Sequence, residues 1–121
     1  MLILGIAIAG AVGAPARYLL DGYVQSRSAG QVPMGTLVIN TTGSLVLGFL
    51  TGLVLYHAFP ATPKIVLGTG FCGAYTTFST FTYETVRLAE EREFGDALKN
   101  VLASLLLPAL AAAAGLILAS L

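Results

Sequence analysis

Charge is what this chain most lacks. Only 10% of its 121 residues are Asp, Glu, Lys or Arg, against about 25% in an ordinary soluble domain. The six basic and six acidic side chains cancel, so no basic surface is offered to nucleic acid. Tryptophan is absent, and the single cysteine, Cys72, rules out an intrachain disulfide. Histidine occurs once, as His57, where it reads as an interfacial turn residue rather than a ligand. No carboxylate–histidine pair, activated nucleophile or phosphate-binding loop is evident, so the sequence does not read as an enzyme. Met1 to Ala11 lacks the positive n-region of a signal peptide, and its apolar run is too long for an h-region. The first helix is expected to be retained as a span.

What is present is apolar: 56% of the residues are hydrophobic. A hydrocarbon core of about 30 Å needs roughly 20 such residues per helical crossing, and four crossings fit. They are expected at about Leu2–Leu20, Pro33–Tyr56, Pro63–Arg87 and Ala97–Leu121, in one membrane domain covering residues 1–121. Arg17 and Asp21, four apart, are placed to pair near the end of the first. Gly22 to Val32 and His57 to Thr62 read as connections, and Glu90 to Asp96 as a charged surface segment. The pattern Gly48-Phe49-Leu50-Thr51-Gly52 suits close helix contact and, with the polar stripes below, favours a dimer.

The third span is interrupted. Gly70-Phe71-Cys72-Gly73-Ala74-Tyr75-Thr76 places glycines and hydroxyls inside an apolar segment, and a break is expected there. Backbone that leaves the helical pattern within hydrocarbon strands polar groups at a cost of several kcal/mol each. Such a break persists where protein, water or an ion satisfies those groups. Freed carbonyls at a discontinuous helix ligate cations in transporters. With no carboxylate nearby, neutral oxygens would suit a monovalent ion.

Thr36, Asn40, Ser44 and Thr51 share one face of the second span. Asn40 has two donors and an acceptor to satisfy, either in an interhelical bond or by turning its amide hydrogens toward an anion. Phe78 and Phe81, three apart, either pack or present positive ring edges to a small anion. Thr76, Thr77, Ser79, Thr80 and Thr82 add hydroxyls, which either donate into a path or bond back to their own helix. Glu84 follows one turn after Phe81, close to Arg87. Asn100 and Ser104 form a row in the last span that Pro108 continues, with a proline kink expected there.

Three motifs resemble the Fluc fluoride channels. Gly10-Ala11-Val12-Gly13-Ala14-Pro15-Ala16-Arg17-Tyr18 is similar to their first-span motif, and Pro33-Met34-Gly35-Thr36-Leu37-Val38-Ile39-Asn40-Thr41-Thr42-Gly43-Ser44 to their second. Thr76-Thr77-Phe78-Ser79-Thr80-Phe81 resembles the end of their third-span signature. The resemblance implies an all-α membrane protein of four helices, the third broken, assembled as an antiparallel dual-topology dimer in the cytoplasmic membrane. It implies two fluoride pores at the dimer interface, with Asn40 as the pore asparagine and Phe78 and Phe81 as the ring pair. Thr36, Thr80, Glu84, Asn100 and Ser104 would lie along the polar path or its mouth. The main-chain carbonyls of Gly73 and Thr76 from both subunits would hold a structural sodium ion. Pro108 stands where some relatives carry another hydroxyl.

Two features keep other readings open. Arg27 and Arg92, with Arg17, Arg87 and Lys99 near span ends, oppose Lys64 and the N-terminal amine across the bilayer. That bias normally sets one orientation, so an oppositely oriented relative is an alternative to an identical partner. A small multidrug exporter also has four spans, but needs an intramembrane carboxylate in the first, and none is there. A non-conducting assembly protein would explain the packing glycines but not the hydroxyl-rich break.

Overall fold

In the computed structural model, residues 1–30 and 32–121 are described; position 31 of the expected first connection lies outside them. Three continuous helices, α1 (Leu2–Ser26), α2 (Met34–His57) and α6 (Phe94–Ser120), contain 25, 24 and 27 residues. At 1.5 Å per residue each exceeds the roughly 30 Å of a hydrocarbon core. All three are apolar enough to cross a membrane. Between α2 and α6 lies a composite segment: α3 (Ala61–Ile65), a π-helical stretch (Val66–Cys72), α4 (Gly73–Tyr75) and α5 (Ser79–Glu90).

Helix α1 runs to Ser26 rather than ending near Leu20. Tertiary contacts carry it onward, because Gln25 Oε1 accepts the Gly35 N–H at 3.2 Å. The Asp21 carboxylate lies over Gly35, where a side chain would collide with it. The expected Arg17–Asp21 pair does not form among the described residues. Asp21 is turned toward α2, and Arg17 Nε is buried without a partner.

Small residues set which helices touch. A Cβ at Gly48 would run into the Ala112 carbonyl oxygen of α6, and one at Gly52 into Ala119. Residue numbers rise together along this contact, so α2 and α6 run parallel. The Gly48/Gly52 pattern makes the close helix contact expected of it, and does so within the chain. Gly13 and Gly70 play the same part between α1 and the π-helical stretch: a Cβ on Gly13 would lie 2.5 Å from the Phe71 carbonyl oxygen. This pair is also parallel, whereas the Asp21–Gly35 contact joins α1 and α2 head to tail. His57 Nε2 lies 2.6 Å from the Ala119 carbonyl oxygen. The histidine thus ties the end of α2 to the end of α6 rather than serving only as a turn.

Ile39, Leu88 and Asn100 are the largest fully buried side chains. By contrast, Ile3, Ile8, Val12 and Leu19 of α1 and Leu102, Leu106, Leu110 and Ile117 of α6 are exposed. Apolar faces this extensive fit a bilayer or a protein partner, not water. The chain is an all-helical integral membrane protein.

Candidate functional site

The helix breaks later than the glycines suggest. Thr76 is extended (φ −84°, ψ 162°), and regular α-helix resumes only at Ser79. Gly73 is right-handed helical (φ −62°, ψ −39°), so the helix does not break at that glycine. Gly70 serves close approach instead: a Cβ there would press on the Ile6 carbonyl and Ala9 of α1. The π-helical stretch ahead of the break is a local widening of the kind that often accompanies functional sites.

Asn40 is what the break is fastened to. Its Nδ2 donates to the Thr77 carbonyl at 2.8 Å, and its Oδ1 accepts the Thr77 N–H at 2.9 Å. The Thr77 backbone offers one donor and one acceptor, which fixes the carboxamide's orientation and leaves one Nδ2 hydrogen unspent. The interhelical bond expected of Asn40 is thus made, to main chain, with one amide hydrogen left over.

The hydroxyls of this region bond locally. Thr76 and Thr82 bond back to Cys72 and Phe78 carbonyls of their own helix, at 2.7 and 3.0 Å. Thr51 does likewise to Leu47. Thr77 Oγ1 accepts the Thr80 N–H at 3.2 Å and donates to Thr80 Oγ1 at 3.1 Å. Thr77 thus bonds into the first turn of α5 from just ahead of it. From sequence it stood only among the hydroxyls of the break, not as the residue that bonds into the restarting helix. Its signal was there, a threonine three residues ahead of another where the helix restarts.

An interrupted helix exposes two kinds of end. Among the described residues, no hydrogen bond reaches the carbonyls of Gly73 and Thr76. On the far side, the N–H groups of Phe78, Ser79 and Phe81 find no acceptor among the described residues. Carbonyls carry the negative end of a helix and amides the positive end. Unbonded carbonyls and unbonded amides therefore lie within a few residues of each other. Two oxygens of this kind per chain fit a hard monovalent ion, since neutral carbonyls at broken helices coordinate sodium. No group of three His, Cys, Asp or Glu side chains forms a metal cluster among the described residues.

A cleft of about 290 Å³ adjoins the break. Asn40 and Ser44 come to it from α2, Gly73, Thr76 and Phe78 from the broken segment, and Ser104 and Pro108 from α6. The Phe78 and Phe81 ring centroids are 5.5 Å apart with planes tilted by 59°, so an edge of one turns toward the other's face. Helix α6 passes through Pro108 without ending.

A family model described as "CrcB-like protein, Camphor Resistance (CrcB)" matches residues 4–116. The chain belongs to the CrcB-like family. A relative from Leifsonia xyli subsp. xyli, named fluoride-specific ion channel FluC 1, is 48% identical over 116 residues, covering 96% of this chain and 85% of the relative. One from Mycolicibacterium paratuberculosis, named fluoride-specific ion channel FluC 2, is 45% identical, covering 97% and 93%. A third, from Thermococcus kodakarensis and named fluoride-specific ion channel FluC, is 42% identical, covering 98% and 95%. The CrcB-like chain thus belongs with ion channels and not with enzymes.

The remaining sequence-predicted residues of this CrcB-like chain lie off the cleft. Asn100 is only 1% exposed. Its Nδ2 donates to Thr85 Oγ1 at 2.7 Å, and its Oδ1 receives the Ser104 hydroxyl at 3.3 Å. Thr85 in turn donates to the Phe81 carbonyl at 2.8 Å, so this polar row fixes α5 against α6. Glu84 lies beside Thr36, and its Oε1 is buried without a hydrogen-bond partner. It does not pair with Arg87, which reaches Glu91 at 3.6 Å.

Proposed function

We propose that this CrcB-like chain is a passive, fluoride-selective channel that exports fluoride across the cytoplasmic membrane. The observation that carries the proposal is the divided polarity of the break, with unbonded carbonyls before it and unbonded amides after it. The relatives' names supply the ion. Fluoride is small and strongly hydrated, so a path for it must replace water with donors. Hydrogen bonds to an ionised partner are about twice as strong as neutral ones, and a narrow path disfavours larger chloride.

In this reading the broken segment completes a third of four crossings. The unspent Asn40 hydrogen and the ring edges of Phe78 and Phe81 face the permeating anion, and Thr80 adds a hydroxyl. Thr36, Glu84, Asn100 and Ser104 lie along the path or at its mouth. A second copy, inserted antiparallel, closes the cleft and gives two pores in a dual-topology dimer. The Gly73 and Thr76 carbonyls of both copies hold one sodium ion, whose fixed positive charge favours anions in the flanking paths. The basic bias toward Arg27 and Arg92 leaves an oppositely oriented relative as the alternative partner.

Fluoride efflux from liposomes carrying the purified protein tests this. Fluoride should leave down its own gradient while chloride is retained. Absence of fluoride efflux, or efflux that demands a proton or sodium gradient, would sink the reading.

A further inference from the structure

An uninterrupted helix would return the Thr77 N–H to the Gly73 carbonyl and the Thr80 N–H to the Thr76 carbonyl. Neither bond forms here, although the helix is intact up to that point: the Thr76 N–H still reaches the Cys72 carbonyl at 2.9 Å. Both missing donors have been captured elsewhere. Asn40 Oδ1 takes the Thr77 N–H at 2.9 Å, and Thr77 Oγ1 takes the Thr80 N–H at 3.2 Å. The two carbonyls left over are those that the sodium reading nominates.

We propose that Thr77 is a positioning residue for the cation site, holding the Thr76 carbonyl free by capturing the amide that would otherwise occupy it. Asn40 does the same for Gly73, and its second bond, from Nδ2 to the Thr77 carbonyl at 2.8 Å, keeps Thr77 in place. Thr77 contributes no atom to the ion. It removes a competitor. An amide proton and a sodium ion seek the same oxygen, so the break is a choice between a continuous helix and a cation site. One hydroxyl and one carboxamide oxygen set that choice. The inference rests on the sodium reading given above.

The opposing outcomes separate capture from ordinary capping. Losing an N-cap weakens a helix whether or not an ion is present. Losing a capture residue weakens ion binding while giving the freed amide a new partner. The experiment uses the full-length protein in detergent, with thermal unfolding followed against sodium concentration in a potassium background and ²³Na line broadening as a second readout. Thr77→Val removes the hydroxyl at nearly constant shape, Thr77→Ser retains it, and Thr77→Ala covers the case in which valine fails to fold.

The half-saturating sodium concentration should rise about tenfold in Thr77→Val and Thr77→Ala, the scale of about one hydrogen bond. Thr77→Ser should stay within about threefold of the parent. In sodium-free buffer Thr77→Val should melt no lower than the parent. A parent without any sodium response overturns the sodium reading, and this proposal with it. A responsive parent beside an equally responsive Thr77→Val overturns the proposal alone. So does a Thr77→Val melting point lowered equally with and without sodium, or a Thr77→Ser as impaired as Thr77→Val.

Discussion

Phe78 is 74% exposed and Phe81 is 9% exposed, although they stand three residues apart with touching rings. The same replacement should therefore read differently at the two positions. Phe78→Ile is expected to slow fluoride at least about tenfold, as loss of one favourable anion contact, with no change in the protein's melting temperature. Phe81→Ile should slow it as well and also cost roughly 1–2 kcal/mol of stability, because the ring is packed. Paired flux and thermal-melt measurements check this, and an equal melting shift at both sites would contradict it. Asn40→Asp should likewise suppress flux. It places negative charge beside the path and removes the donor that holds the Thr77 carbonyl, and efflux from liposomes bearing the correctly assembled variant measures it. At this scale the sequence was legible where a side chain has demands of its own. A buried carboxamide must be partnered, so Asn40 announced itself. The partner did not, because it is main chain 37 residues away and leaves no side-chain signature.

The helices themselves follow from runs of about 20 apolar residues, which dictate crossing segments before any tertiary contact exists. Their partners do not follow. Gly48 and Gly52 advertise a close contact, but the pattern carries no address, and here α6 of the same chain answers it. Gly48→Val should force α2 from the α6 backbone, which cannot yield as a side chain does, at a cost of roughly 1–3 kcal/mol. Gly22→Ala provides the contrast. It sits inside α1, its Cβ would meet nothing within 4 Å, and a helix-interior glycine-to-alanine change is worth up to about 1 kcal/mol of stabilisation. Thermal unfolding of the two variants should move in opposite directions. The interrupted helix was legible as an interruption but not in its position. Gly70 and Gly73 drew attention to the interruption, whereas the Thr77 hydroxyl and the Asn40 clamp hold the opening at Thr76–Phe78. Both are contacts that a local reading of backbone freedom does not weigh.

At the scale of the molecule, α2 packs mainly against α6, and α1 packs on both α2 and the broken segment. The remaining faces of α1 and α6 stay apolar and open. The cleft is lined by neutral groups, with Cys72 and Gly68 beside the hydroxyls and carbonyls. A cation bound there would be its only full charge, so the proposed channel should depend on sodium without consuming a sodium gradient. Fluoride efflux should fall to background after stringent sodium removal, and return when equal sodium is supplied on both sides of the membrane. Efflux that persists without sodium would contradict this, and so would recovery that requires an imbalance. The membrane-embedded helical architecture was legible from composition alone. The assembly was not, since exposed apolar faces in a membrane protein admit lipid and protein equally.

The π-helical stretch Val66–Cys72 acts as a phase shifter. A wide turn takes up residues that an α-helix would have placed about 100° further around, so the rod before Val66 and the rod after Cys72 keep separate angular registers. That offset lets the π-helical stretch set Gly70 against α1 while the turn that follows brings bare Gly73 to the cleft. Deleting Thr69 should let the stretch relax to α pitch, leaving total helicity by circular dichroism nearly unchanged. The following residues would then rotate together, drawing the Tyr75 hydroxyl away from Thr42, 2.9 Å distant in the native chain. The expected product is a folded, fully helical protein that no longer passes fluoride, its failure being one of angle rather than of composition.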